Sequence, residues 1–101
     1  MAVYMIFYQD EINDRDALNA YSAKAGPTIG VHKAIPRVVT EAAENIEGDW
    51  NPVRVVMLEF DSREAALGWY NSPEYTAVRG MRLAATKGAG ILVEGFEMPG
   101  Q

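Results

Sequence analysis

Cysteine is absent from the sequence, and histidine occurs once, as His32. Without cysteine there can be no disulfide bond, no catalytic thiolate and no cysteine-ligated zinc or iron–sulfur site. With one histidine there can be no histidine-rich metal site and no relay between two imidazoles. We therefore expect neither a metal nor a cofactor. A chain without cysteine also suits a reducing compartment, and we expect a cytoplasmic location.

Basic residues and long apolar runs are also scarce. The nine lysines and arginines are outnumbered by 14 acidic residues, which gives a formal net charge of −5. They are scattered along the chain, whereas a nucleic-acid-binding protein needs a basic face. A membrane-spanning helix needs about 18 consecutive apolar residues, and no stretch of the sequence comes near this length. We expect neither a nucleic acid nor a membrane as a partner.

Hydrophobic residues are abundant, at 49% of the 101 positions. This content supports the core of a single domain covering residues 1–101. Residues 2–8 are apolar at every position and residues 53–60 nearly so, which is typical of central strands covered on both faces. Residues 91–93 predict a further strand. Residues 35–40 predict a weaker strand at a sheet edge, because they include a proline.

Two helical segments separate these strands. From Leu18 to Ile29 apolar residues recur every three or four positions, and Gly26-Pro27 predicts a kink or a loosened turn within a helix that ends near His32. The second helix is predicted to break at Ser72-Pro73, because serine caps a helix and proline fits its first position. Gly88 is predicted to cap the end of this second helix.

The order of elements is β-α-β-β-α-β, with the second helix in two pieces. This order predicts an α+β, ferredoxin-like fold with a four-stranded antiparallel sheet and both helices on one face. The other face of the sheet then lacks a cover. A second copy related by two-fold symmetry is the simplest cover, so we expect a homodimer.

Four stretches of the sequence are distinctive: Glu47 to Trp50, Arg54 to Phe60, the string Trp69-Tyr70-Asn71-Ser72-Pro73-Glu74-Tyr75, and Ile91 to Gly95. Together they closely resemble the family called domain of unknown function 1330, within the dimeric α/β-barrel superfamily. The resemblance implies a ferredoxin-like subunit whose dimer brings two sheets together. It implies no established activity.

Residues 33–45 depart from the family pattern. Lys33-Ala34 stands where relatives tend to have two glycines, and Val39-Thr40-Glu41 stands where many have Arg-Gly-Gly. Arg37 lies two positions from the missing arginine, and it shares that strand face only if no bulge intervenes. We therefore carry no functional role over to this segment.

His32 and Glu59 are the candidate acid–base residues. His32 can act as a general base near neutral pH, but a histidine at a helix end also interacts with the terminal carbonyls. Glu59 interrupts the apolar third strand, on the face that carries Val55 and Met57. If this face lies between the sheet and a partner, burial would raise the pKa of the Glu59 carboxyl group, and the group could transfer protons. Alternatively, it pairs with an arginine across the sheet.

Aromatic residues supply the candidate ligand-binding surface. Trp69, Tyr70 and Tyr75 can wall an apolar pocket in which the Asn71 amide orients a ligand, or they can pack as core around the helix break. Trp50 lies in a turn, where a large aromatic side chain suggests a pocket lid or a dimer contact.

Three arginines are candidates for anion binding. Arg54 can bind a ligand carboxylate with its planar guanidinium group. Alternatively, it forms a salt bridge or stacks on Trp50. Arg79 and Arg82 can form a small anion site, although a solvated helix face explains their spacing more simply.

Two classes of function remain open. The chain can be a cofactor-independent enzyme that carries out proton transfer or oxygenation of a small organic acid in a mostly apolar cavity. Alternatively, it is a ligand-binding or protein-interaction dimer without turnover. The fold cannot choose between them, since one fold supports many chemistries.

Overall fold

The structure, a computed structural model, describes residues 1–97 and residue 99. It contains four strands and three helices in the order β1 (Val3–Ile12), α1 (Arg15–Val31), β2 (Ile35–Thr40), β3 (Arg54–Phe60), α2 (Arg63–Tyr70), α3 (Pro73–Ala85) and β4 (Thr86–Glu94). The predicted α+β order is confirmed, and so is the broken second helix. Ser72 caps α3 by accepting a bond from the Tyr75 backbone N–H at 3.2 Å, with Pro73 in the first turn.

The strands form one antiparallel sheet in the order β2-β3-β1-β4. The two most apolar strands, β1 and β3, are central, as predicted. Alternate residues of β1 point to opposite sides of the sheet. The buried set Val3, Met5, Phe7 and Gln9 faces the helices.

The other side of the sheet is covered by none of the three helices of the described residues and is mostly apolar; we call it the open sheet face. Its pairs follow from the strand register: Ile6 lies opposite Met57 on β3 and Ile91 on β4. Further members are Tyr4, Tyr8, Val38, Val55, Glu59 and Val93. An apolar face of this kind is the feature from which the sequence predicts a second copy.

The predicted end of the first helix near His32 is confirmed, since α1 runs to Val31 with His32 as its C-cap and Pro27 inside the helix. Proline removes one backbone donor, but Ala23, whose carbonyl loses its partner, is exposed and can bond to water.

Gly88 does not cap a helix. The helix α3 ends at Ala85 with Thr86 as its C-cap, and Gly88 lies within β4 opposite Gln9. A Cβ atom on Gly88 would lie 1.8 Å from the Tyr8 carbonyl oxygen. Glycine is therefore needed here because two strand backbones approach closely next to a register shift.

A cavity between the sheet and helix α1

A cavity of about 280 Å³ lies between the helix-facing side of the sheet and α1. Most of its wall is apolar, from Phe7, Ala25, Ile29, Val56, Leu58 and Trp69. The polar groups in the wall are few, and most of them come from Gln9, Tyr21, Arg54 and Arg82. A mostly apolar pocket with a few convergent polar groups is the usual form of a small-molecule site.

The mouth of the cavity lies between α1 and the edge strand β2. Ser22 and Gly26, one helical turn apart, form one side, and Pro36 and Val39 form the other; all four are exposed. A Cβ atom on Gly26 would meet no atom within 4 Å. The absence of a side chain there keeps the entrance wide.

Gln9 and Arg54 sit side by side in the wall, on paired positions of β1 and β3. An Arg54 guanidinium N–H donates to the Gln9 Oε1 atom at 2.9 Å. The Gln9 side chain is only 1% exposed, and its Nε2 amide has no hydrogen-bond partner within the described residues. A buried amide donor without a partner is costly, so this group has unused capacity to bind an acceptor.

Arg82 enters the wall from α3 and is 6% exposed. Its guanidinium carbon lies 4.4 Å from the centroid of the Phe7 ring, a cation–π distance. Its Nε–H donates to the Tyr75 hydroxyl at 3.3 Å. The arginine is thus held in place by an aromatic ring and a hydroxyl group.

Two buried tyrosines continue from Arg82 towards the cavity. The Tyr75 hydroxyl lies 2.7 Å from the hydroxyl of Tyr21, which lines the cavity. Burial raises the pKa of Tyr21, Tyr75 adds to this effect, and Arg82 opposes it. The Tyr21 hydroxyl therefore stays protonated well above neutral pH.

The cavity has an excess of positive charge. Its lining residues, all within the described part of the chain, include no carboxylate and no imidazole. The ion pairs found among residues 1–97 and 99 include neither Arg54 nor Arg82. Burial lowers the pKa of Arg54, while for Arg82 the effect of burial is outweighed by nearby tyrosines and the pKa ends raised. Both guanidinium groups remain charged, since arginine does not deprotonate in proteins.

The raised pKa of Tyr21 predicts a loss of stability at alkaline pH. The unfolded chain releases the tyrosine proton at about pH 10, whereas in the folded chain burial and Tyr75 raise the pKa of Tyr21 by more than Arg82 lowers it. The stabilising contribution is complete below that pH and disappears as the pH rises towards the folded pKa. Urea unfolding of the parent should show a steeper loss above about pH 10 than unfolding of Tyr21→Phe. Equal slopes for the two proteins would contradict this assignment.

A family model described as domain of unknown function (DUF1330) matches residues 2–96. The chain belongs to this family. The resemblance seen in the sequence is confirmed, because the matched range includes the helix break and all four strands. No protein with a curated description matches the chain.

Solved structures similar to the chain share its fold. A protein of unknown function from Rhodopseudomonas palustris has a TM-score of 0.75 at 17% identity, covering 96% of this chain and 84% of its own. A putative antibiotic biosynthesis monooxygenase from Nitrosomonas europaea has a TM-score of 0.66 at 15% identity, covering 96% and 100%. A dimeric protein of unknown function and ferredoxin-like fold from Bacteroides fragilis has a TM-score of 0.59 at 13% identity, covering 93% and 95%. The ferredoxin-like fold of the chain is thereby confirmed.

Three of the predicted ligand-binding residues lie in or beside the cavity. Arg54 and Trp69 line it, and Trp69 is 1% exposed with its indole N–H donating to the Thr28 hydroxyl at 3.0 Å. Tyr75 lies directly behind the wall and reaches the cavity through Tyr21. The helix break thus positions part of the wall, although its aromatic residues also serve as core.

Tyr70 and Asn71 lie away from this cavity. Tyr70 lines a second depression of about 400 Å³ beside β4, and Arg79 stacks on its ring at 4.5 Å. Asn71 is the C-cap of α2, with its backbone N–H bonded to the Leu67 carbonyl at 2.9 Å. Arg79 and Arg82 do not form a joint anion site in this arrangement, and the expected solvated face is wrong for the buried Arg82.

His32 and Glu59 lie outside the cavity, on opposite sides of the sheet. His32 caps the C-terminus of α1, and its Nε2 atom is 3.6 Å from a Glu74 carboxylate oxygen. Glu59 lies on the open sheet face, where Arg37 donates to it at 3.0 Å. Arg37 lies at the register shift between Pro36 and Val38, whereas the residue paired with Glu59 in the strand register is Ile35. The arrangement matches the cross-strand ion pair that the sequence offered as the alternative to a base.

Trp50 packs in the loop between β2 and β3. Its ring meets the Tyr8 ring edge-on at 4.7 Å, and its indole N–H donates to an Asp10 carboxylate oxygen at 2.6 Å. It does not stack on Arg54, which bonds to Gln9 on the helix-facing side. Because Tyr8 belongs to the open sheet face, Trp50 borders that face and is 52% exposed.

Sequence patterns alone did not identify Gln9 and Tyr21 as site residues. Gln9 directly follows the apolar part of β1. If the strand is extended beyond Tyr8, alternation places Gln9 in the buried row of a central strand. A glutamine is seldom buried, so this position is a signal of a polar site. Tyr21 fits the apolar spacing of α1, so its hydroxyl group gives no signal of its own.

The remaining expectations concern a metal site and a membrane-spanning helix. The described residues contain no group of three or more His, Cys, Asp or Glu side chains able to hold a metal ion. Within the same residues no helix is long and apolar enough to cross a membrane.

Proposed function

We propose that the protein binds a small, largely apolar organic acid in the cavity beneath α1. The observation that carries this proposal is the pair Arg54 and Arg82 in an apolar wall, since neither arginine forms an ion pair within residues 1–97 and 99. The Glu41 carboxylate acts on Arg54 only through its charge, by opposing the effect of burial on the Arg54 pKa. Arg82 is buried and Arg54 is half-buried. A buried charge without an oppositely charged partner is costly, and a ligand carboxylate would supply that partner. The planar guanidinium group suits a carboxylate because it can donate two parallel hydrogen bonds.

The size and lining of the cavity favour a compact ligand. Small-molecule pockets usually occupy about 300–1,000 Å³, and this one lies at the lower limit with about 280 Å³. The apolar wall fits a hydrocarbon or aromatic body, while Gln9 adds an unpaired amide donor beside Arg54. Phenylpropionate combines these features and serves as a probe.

Calorimetric titration with phenylpropionate and its neutral amide tests the proposal. A charge-assisted hydrogen bond contributes about 1.5–3 kcal/mol, which is about ten- to hundredfold in Kd. We expect the acid to bind at least tenfold more tightly than the amide. Arg54→Gln should remove most of this difference, and Arg79→Gln should leave it unchanged because Arg79 stacks on Tyr70 outside the cavity.

Blocking the entrance provides an independent arm of the test. Gly26→Leu places a side chain at the mouth, whereas Gly30→Leu adds the same side chain to the same helix outside the cavity lining. Neither new Cβ atom meets an atom within 4 Å, so both variants should fold. Only Gly26→Leu should lose binding. Equal binding by both variants, or equal binding of acid and amide, would show that the ligand does not use this cavity.

We also propose that the open sheet face pairs with a second copy. The support is its row of apolar side chains on all four strands, together with the likeness to a ferredoxin-like protein described as dimeric. A dimer without turnover, acting through ligand binding or protein interaction, is compatible with this arrangement.

Cofactor-independent catalysis is the second candidate function, and the likeness to a putative monooxygenase favours it. The cavity lining provides no carboxylate or imidazole, so a base at His32 or Glu59 would have to act from outside it. Oxygen uptake and hydrogen–deuterium exchange at the carbon next to the carbonyl of phenylpyruvate measure the two reactions. If either residue is the base, His32→Asn or Glu59→Gln should abolish exchange and leave affinity intact. Full exchange in both variants would exclude these two residues.

A further inference from the structure

Three side chains form a hydrogen-bonded series from α3 to the cavity. Arg82 donates through Nε to the Tyr75 hydroxyl at 3.3 Å, and the Tyr75 and Tyr21 hydroxyls are 2.7 Å apart. Tyr75 is fully buried at 0% exposure, and Tyr21 is the member whose side chain lines the cavity together with Arg82. The distance between the Tyr75 and Tyr21 hydroxyls does not show which of the two tyrosines donates the hydrogen bond.

The chemistry of the three groups decides the direction of that bond. Arginine can only donate, so the Tyr75 oxygen must be the acceptor from Arg82. If Tyr21 also donated to Tyr75, the proton of the fully buried Tyr75 hydroxyl would have no acceptor among the described residues. A buried donor left unpaired is costly. If Tyr75 instead donates to Tyr21, every proton in the series has an acceptor except that of Tyr21.

We propose that Tyr21 presents its hydroxyl proton to the cavity and selects acids that carry a carbonyl or hydroxyl oxygen next to the carboxylate. The inference rests on the proposed acid-binding function and adds the ligand class. Tyr21 is two hydrogen bonds away from Arg82, so a ligand carboxylate at Arg82 places the adjacent oxygen close to the Tyr21 hydroxyl. In the free protein the same proton can bond to water within the cavity.

The positive charge of Arg82 strengthens this donor. Hydrogen bonds in a series polarise one another, and a cation at the start of the series makes the final hydroxyl group a stronger hydrogen-bond donor. Because the pKa of Tyr21 is raised overall, the hydroxyl still carries its proton at neutral pH. The group therefore acts as a donor and not as a base.

Phenylpyruvate and phenylpropionate, which differ only by the carbonyl oxygen, test this inference by calorimetric titration. The parent protein should bind phenylpyruvate about two- to tenfold more tightly, the range expected for one neutral hydrogen bond. Tyr21→Phe should abolish the preference, so that the variant binds the two acids with the same affinity. Tyr70→Phe is the matched control, since Tyr70 lies outside the cavity, and it should keep the preference.

The variant Tyr75→Phe tests separately whether the Tyr75 hydroxyl directs the Tyr21 proton towards the cavity. Without the Tyr75 hydroxyl the Tyr21 proton is no longer directed towards the cavity, and the preference should fall below that of the parent. An unchanged preference in Tyr21→Phe would overturn the inference. If the parent binds both acids equally, this inference fails and the proposed function stands; if the parent binds neither acid, both fail.

Discussion

Replacing Trp69 by alanine is expected to lower the free energy of unfolding by about 3–5 kcal/mol, the usual cost of truncating a buried tryptophan. The side chain is 1% exposed. Its ring lies 4.0 Å from that of Tyr75 and 5.8 Å from that of Phe60, measured between centroids. Its indole N–H also satisfies the buried Thr28 hydroxyl at 3.0 Å. Loss of the ring leaves a void where α1, α2, α3 and β3 meet.

Urea unfolding of Trp69→Ala measures this loss. Because a domain is stabilised by only about 5–15 kcal/mol, the variant should be close to the limit of folding. Trp69→Phe should lose less, since a ring remains. Trp50→Ala is the matched control, because the same truncation at a 52% exposed loop position should cost much less. A melting temperature of Trp69→Ala within a degree or two of the parent would show that the helix-break cluster is peripheral.

Replacing Ile6 by lysine is expected to convert a dimer into a monomer. Ile6 lies in a central strand of the open sheet face, between Met57 and Ile91. Two copies meeting through this face would bring two lysine charges into an apolar interface, where burial of unpaired charge is costly. Light scattering should give twice the chain mass of 11.1 kDa for the parent and the single mass for Ile6→Lys.

Val31→Lys is the control for this experiment. Val31 is an equally apolar, exposed residue at the end of α1 on the opposite side of the sheet, and its replacement should leave the dimer intact. A standard interface buries about 1,200–2,000 Å² and should survive micromolar dilution. A mass of 11.1 kDa for the parent at that concentration would contradict the dimer.

The architecture could be predicted because several independent signals agree. The apolar runs of β1 and β3 identify central strands, and Ser72-Pro73 combines a cap with a first-turn proline, so the break between α2 and α3 is encoded locally. The errors arose where tertiary contacts decide. Gly88 looks like a helix cap, but the approach of the Tyr8 carbonyl requires a glycine within β4.

The site was harder to predict because its polar residues are hidden in core patterns. Tyr21 follows the helical period of buried residues. Arg82 is spaced from Arg79 like a surface residue, yet α3 turns it towards Phe7 and the sheet. Arg54 was recognised as a carboxylate-binding candidate, but its neighbour Gln9 comes from a strand 45 positions away in the sequence. Only the strand register brings the two together.

A crystal structure of the protein with phenylpropionate tests the central claim most directly. The proposal predicts the ligand beneath α1, with its phenyl ring against Leu58 and Trp69 and its carboxylate within hydrogen-bond distance of Arg54, Arg82 and the Gln9 amide. An empty cavity in crystals of the saturated protein would contradict the claim, as would a ligand bound on the open sheet face or one whose carboxylate points out through the mouth.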